Sequence, residues 1–125
     1  MSYTAYQRVN ETIENKQELL LKTYEEILSM LNIAGMAIDE HDVTVKANAI
    51  SKVTNALAVL KASIDFEKGG EIAKNLDALY AFCIDTLIKA SARDDKQAVD
   101  DVKGIVNDVY TGFKGAHENL KAGAV

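Results

Sequence analysis

An all-α fold, an antiparallel up-down four-helix bundle with a short N-terminal cap segment, follows from three observations on the sequence. The 125 residues include no proline, so long helices can run uninterrupted. Apolar residues recur at i, i+3, i+4 and i+7 in four successive stretches, the spacing of one helix face. Three short polar breaks separate the stretches, and alternation at period two is absent over any useful length, so no strand is predicted. A chain of this length forms one domain, 1–125, around one core.

The first stripe is Leu20, Tyr24, Ile27, Leu28, Leu31, Ala34 and Ile38. It ends at Asp39-Glu40-His41-Asp42, where Asp42 is placed to cap the next helix. The second runs Ala49, Ile50, Val53, Ala56, Leu57, Leu60 and Ile64, and stops at Asp65-Phe66-Glu67-Lys68-Gly69-Gly70, punctuated by two glycines. The third is Ile72, Leu76, Leu79, Tyr80, Cys83, Leu87 and Ala90. After Ser91-Ala92-Arg93-Asp94-Asp95 the fourth runs Val99, Val102, Ile105, Val106, Val109, Phe113, Ala116 and Leu120. Each spans about 20 to 25 residues, or about 30 to 37 Å of helix. Short breaks make sequential helices antiparallel neighbours. Residues 1–16 and 121–125 lie outside the best periodicity and are expected to be a mobile cap and a flexible tail.

Composition narrows the function. Hydrophobic residues make up 48% and charged residues 26%, a globular balance. Fourteen basic against nineteen acidic residues give a net charge of -5, which argues against nucleic acid or an anionic membrane as partner. One cysteine cannot form an internal disulfide, which suits a reducing compartment. No apolar run approaches the roughly 20 residues of a membrane span. No apolar run stands behind the basic residue of Met1-Ser2-Tyr3-Thr4-Ala5-Tyr6-Gln7-Arg8, so no secretory leader is expected. The expected location is the cytoplasm, without membrane insertion.

Catalytic and metal chemistry finds no footing. A di-metal bundle needs Glu-x-x-His pairs, but Ile38 precedes His41 by three residues and Lys114 precedes His117. Both histidines are expected at the solvated surface. Cys83 falls on the apolar stripe and reads as a buried, inert thiol. Lys68-Gly69-Gly70 lacks the rest of a phosphate-binding loop. Asp94, Asp95, Asp100 and Asp101 read as helix N-terminal charge and solvated face. The expectation is a protein that is not an enzyme and carries no cofactor or metal.

Two features exceed what a bundle needs. The second helix carries Ala58, Val59 and Ala62 off its stripe, and the third carries Ala73, Ala81, Phe82, Ile84 and Ile88. A wide, tilted core contact and a partner groove both account for them. Tyr3 and Tyr6 precede the first stripe. Packing on the bundle end and docking on a groove or partner are both compatible with them, and coexist if the segment is a detachable cap.

The block Ile64-Asp65-Phe66-Glu67-Lys68-Gly69-Gly70-Glu71-Ile72-Ala73-Lys74-Asn75-Leu76, followed by Leu79-Tyr80, closely resembles the signature of the FliS family of flagellar export chaperones. Ala90-Ser91-Ala92-Arg93-Asp94-Asp95 is similar to that family's loop into its last helix, and Tyr6-Gln7 and Tyr24 have counterparts. Phe113 stands where the family usually has tryptophan, and the usual proline before the first long helix is missing. The resemblance implies a chaperone that binds the disordered C-terminal segment of flagellin, blocks its premature polymerisation and delivers it to the export gate protein FlhA, acting as a monomer when bound to its client. It also implies that the N-terminal segment covers part of the groove in the free protein. Exposed-looking apolar positions combined with family counterparts single out Tyr3, Tyr6, Gln7, Tyr24, Leu28, Leu31, Val59, Ile64, Ile72, Leu76, Tyr80 and Phe82 for partner binding. A scaffolding bundle that self-associates through its apolar groove is the alternative. In the signature block, Gly69 and Gly70 permit a tight reversal, Glu71 favours a helix start, and Asn75 is either a polar group near the core or a solvated residue.

Overall fold

The computed structural model describes residues 3–123, and their side chains other than those at positions 6, 9, 10, 12–14 and 120–123. Four helices follow one another: α1 (Tyr3–Asp39), α2 (Val43–Ala62), α3 (Phe66–Arg93) and α4 (Lys96–Gly123). Among the described residues there is no strand. α1 packs on α2 and α4, and α3 packs on the same two, so α1 and α3 stand diagonally in a ring of four. The predicted bundle is the observed one.

The predicted stripes supply its core. Ile27, Leu31 and Ala34 of α1 meet Val53 and Leu57 of α2, Cys83 and Leu87 of α3, and Val99, Val102 and Val106 of α4. Two tyrosines close the centre across the diagonal. The hydroxyls of Tyr24 and Tyr80 hydrogen-bond to each other in the buried interior. The Tyr24 ring also stacks on Phe113 at a centroid distance of 5.8 Å. Not every stripe residue is core: Ile72 and Ala116 are exposed, and Leu76, Leu79, Val109 and Phe113 are half-buried.

The connections show how polar residues end each helix. After α1, His41 takes a left-handed conformation (φ 57°), and Asp42 accepts from Val45 N–H at 3.1 Å, the expected cap. After α3, Asp94 is left-handed as well (φ 51°), and the Asp95 carboxylate accepts from Ala98 N–H at 3.1 Å. At this same end of the bundle, buried Lys46 of α2 donates to Asp94 at 2.6 Å. Lys96 pairs with Asp39 beside it. The two corners are thereby tied together, a tie that apolar periodicity does not reveal.

Two boundaries differ from expectation. The α2–α3 reversal occurs at residues 63–65, ahead of the glycines, because Asp65 caps α3 by accepting from Glu67 and Lys68 N–H at 3.1 Å each. The glycines instead kink α3 after its first turn. Gly70 has φ 52° and ψ −128°, a region essentially reserved for glycine, and a Cβ on Gly69 would stand 2.6 Å from that of Ala73. At the other boundary, the segment ahead of Gln17 is helical from Tyr3 and continuous with α1. Glu14-Asn15-Lys16-Gln17 holds no glycine or proline, so its polarity alone does not stop the helix. α4 likewise continues to Gly123. Of the expected cap and tail, residues 1–2 and 124–125 lie outside the described residues.

Candidate binding groove

Of the four neighbouring pairs, α3 and α4 pack least closely. The stripes of both helices therefore turn an edge outward. Between them opens a groove of about 540 Å³. Leu76, Leu79, Val109 and Phe113 line it with apolar surface, Ile72, Asn75 and Asp108 contribute from its margins, and Gly112 and Ala116 keep the α4 wall low. Ile72 is 76% exposed, a large aliphatic side chain with almost no partner within the fold. A smaller groove of about 320 Å³ lies between α1 and α2, where Ile27, Met30, Val53 and Ala56 lie between Glu26 and Lys52.

The residues singled out for partner binding scatter over this frame. Ile72 and Leu76 line the α3–α4 groove. Phe82, exposed, lies three residues beyond Leu79 on α3. Val59 is exposed on α2 but belongs to the row of Lys52 and Ala56, on the α1–α2 side. Leu28 and Ile64 are half-buried against the core. Tyr24, Leu31 and Tyr80 are core residues, 1%, 1% and 4% exposed, and present no surface for contact in this conformation. Helical spacing brought them onto the same stripe as real groove residues, and only the depth of packing separates the two. Tyr3 and Gln7 are exposed on the first turns of α1, while the side chain of Tyr6 lies outside the described residues.

Sequence reasoning missed the α4 wall. It placed the surplus on the second and third helices, whereas the groove is built by the third and fourth. Val109 and Phe113 were assigned to the core stripe, and the splay that half-exposes them is a property of the assembled bundle. Asn75, left open between two readings, is exposed on the groove. His117 corrects another expectation: it is 7% exposed rather than solvated, and its Nδ1–H donates to Gln17 Oε1 at 2.7 Å. The unbroken helical continuation of α1 past its first stripe provides that cover.

Electrostatically the interior is quiet. Burial holds the Tyr24 hydroxyl well above the ordinary tyrosine value and raises that of Tyr80 as well, so both stay protonated at neutral pH. Burial also pushes the Cys83 thiol up to about 11, which leaves it a poor nucleophile at neutral pH. Among the described residues no three His, Cys, Asp or Glu side chains come together as a metal site, and no helix is long and apolar enough to cross a membrane. The arrangement can bind an apolar or amphipathic segment.

The family described as flagellar protein FliS matches residues 1–120. The chain belongs to the FliS family. The flagellar secretion chaperone FliS of Salmonella typhimurium is 37% identical over 98 residues, covering 78% of this chain and 73% of its own. That of Campylobacter jejuni is 28% identical over 119 residues, covering 95% and 93%. That of Bacillus subtilis is 26% identical over 114 residues, covering 91% and 84%. This is a family of flagellar export chaperones, not of enzymes. The signature block now has a physical reading. Asp65 caps α3, Gly69 and Gly70 kink it, and Ile72, Asn75 and Leu76 follow at once as one wall of the groove.

Proposed function

We propose that this chain is a cytoplasmic chaperone for flagellin whose α3–α4 groove receives the disordered C-terminal segment of the client as an amphipathic helix. The observation that carries this reading is the open apolar groove, with Ile72 standing 76% exposed at its margin. Such a surface suits a helix whose apolar positions recur at i, i+3, i+4 and i+7. Sequestering the segment prevents premature polymerisation, and the complex is then delivered to the export gate protein FlhA with the chaperone as a monomer.

The second groove supports a wrapped client. The α1–α2 and α3–α4 grooves lie on opposite sides of the ring, so a segment using both, and reaching Val59, passes around the bundle. A long interface also offsets the several kcal/mol needed to order a disordered chain. The N-terminal segment, with Tyr3, Tyr6 and Gln7, acts as a displaceable cap.

Calorimetric titration with the isolated C-terminal segment of flagellin from the same organism tests the reading. Saturable one-to-one binding with a negative heat-capacity change and a gain of helix supports it. Absence of binding, together with a stable homodimer in sedimentation, favours self-association through the groove instead.

A further inference from the structure

The two walls of the α3–α4 groove hold each other only weakly. α1 is bridged to α4 by side chains along its length, among them Glu25 with Tyr110 at 2.7 Å and Asp39 with Lys96. α2 is bridged to α3 by Lys61 and Asp77 at 3.0 Å. Among the described residues no side-chain hydrogen bond or ion pair spans α3 and α4; Asp85–Lys89 and Gln97–Asp101 each stay within one helix. These two helices also pack least closely of the four neighbouring pairs. Direct contact between them is therefore a weak constraint on how far apart the groove walls stand.

Tyr24 of α1 supplies a stronger one. It is buried and touches both walls from behind. Its hydroxyl is hydrogen-bonded to that of Tyr80 on α3. Its ring stacks on Phe113 of α4, with centroids 5.8 Å apart and planes 16° from parallel. Tyr80 adjoins Leu79 and stands one turn beyond Leu76, and Phe113 stands one turn beyond Val109, so the tie meets each wall at the level of the groove. The two contacts constrain in different ways. A hydrogen bond is directional and fixes where Tyr80 lies, whereas a stacked face limits how far inward Phe113 can move. Close-packed interiors transmit such constraints to the residues beside them. A groove held at its bound width spares the complex the cost of ordering its walls, so affinity depends on what holds them.

We propose that Tyr24 is a positioning residue for client binding: a strut that holds the α3 wall through the Tyr80 hydroxyl and the α4 wall through the Phe113 ring, at the spacing an amphipathic helix of the client needs. The role rests on the reading of the groove as the client site. Tyr24 does not touch the client and acts through Leu76, Leu79, Val109 and Phe113, which do.

The test uses the full chain and the isolated C-terminal segment of flagellin. Tyr24→Phe/Tyr80→Phe removes the hydroxyl tie, keeps the stack and strands no polar group, so the fold is retained; the segment's Kd should weaken about threefold to tenfold. Tyr24→Leu/Tyr80→Phe removes the stack as well and should weaken it about tenfold or more. Wall spacing is read without client by electron–electron resonance between spin labels on Ala78→Cys and Thr111→Cys, exposed positions outside the groove lining, in a Cys83→Ala background. The distance distribution should be narrow with Tyr24 and Tyr80 in place and broader in Tyr24→Phe/Tyr80→Phe. Ile50→Ala, a core change near the α1–α2 corner, should lower stability and leave both readings unchanged. If wild type binds but the tyrosine variants bind equally well, or the spacing does not broaden, or Ile50→Ala weakens binding as much, the strut is overturned and the client reading stands. If wild type takes up no segment, the client reading fails and the role of Tyr24 in binding fails with it.

Discussion

The hydroxyl pair of Tyr24 and Tyr80 makes a sharp prediction, because its two members stabilise the fold only together. Both side chains are buried, and each hydroxyl has the other as its hydrogen-bond partner across the α1–α3 diagonal. In Tyr80→Phe the ring remains but the Tyr24 hydroxyl is stranded in the core. The loss is the hydrogen bond plus the desolvation of an unmatched hydroxyl, about 1 to 3 kcal/mol. Tyr24→Phe strands Tyr80 in the same way. The double variant leaves no unmatched polar group, keeps the Phe113 stack available, and should unfold within about 1 kcal/mol of wild type. Urea denaturation of the four proteins, taken to be two-state for a domain this small, gives the cycle. The coupling energy should be comparable to each single loss. Two single losses that simply add in the double variant would refute the reasoning, as would singles that cost nothing.

Four further outcomes are expected. Leu57→Ala removes a fully buried side chain and should cost about 2 to 5 kcal/mol in denaturant melts. Gly70→Ala forces a side chain into a glycine-only conformation and should cost about 1 to 3 kcal/mol, with loss of helical signal confined to the first turn of α3. Cys83, Tyr24 and Tyr80 are all held protonated by burial. The unfolded chain releases those protons first, so stability should be full below the thiol's ordinary value of 9.0 and fall as pH rises through about 11 and beyond. A melting midpoint flat across that alkaline range would contradict it. Deleting residues 1–10 should preserve the helical fold by circular dichroism and raise affinity for the flagellin segment. Unchanged or weaker affinity counts against the cap.

Particular residues show where sequence reading reached the structure and where it stopped. Asp42 was legible as a cap because capping is a local bargain between one carboxylate and the next turn's N–H groups. The α2–α3 corner was misplaced because Gly69-Gly70 is a louder local signal than Asp65, although Asp65 makes the cap and the glycines make the kink. Lys46 carries no local signal of burial, yet it is buried against Asp94 from 48 residues away. His117 was misread for the same reason, since Gln17 stands 100 residues distant in the chain. Ile72 and Leu76, singled out for partner binding, line the groove, whereas Tyr24, Leu31 and Tyr80 on equally apolar positions are core.

Sequence by itself determined what depends on neighbours within a few residues: helix content, stripe positions, the polar caps, and the family through its signature block. Tertiary structure decided which stripe residues meet across the bundle and which are left at an edge. Periodicity gives the direction in which a side chain leaves its helix, not the distance to the helix opposite. The packing is closer at α1–α2 than at α3–α4, and the looser contact leaves the edges of two core stripes lining a groove.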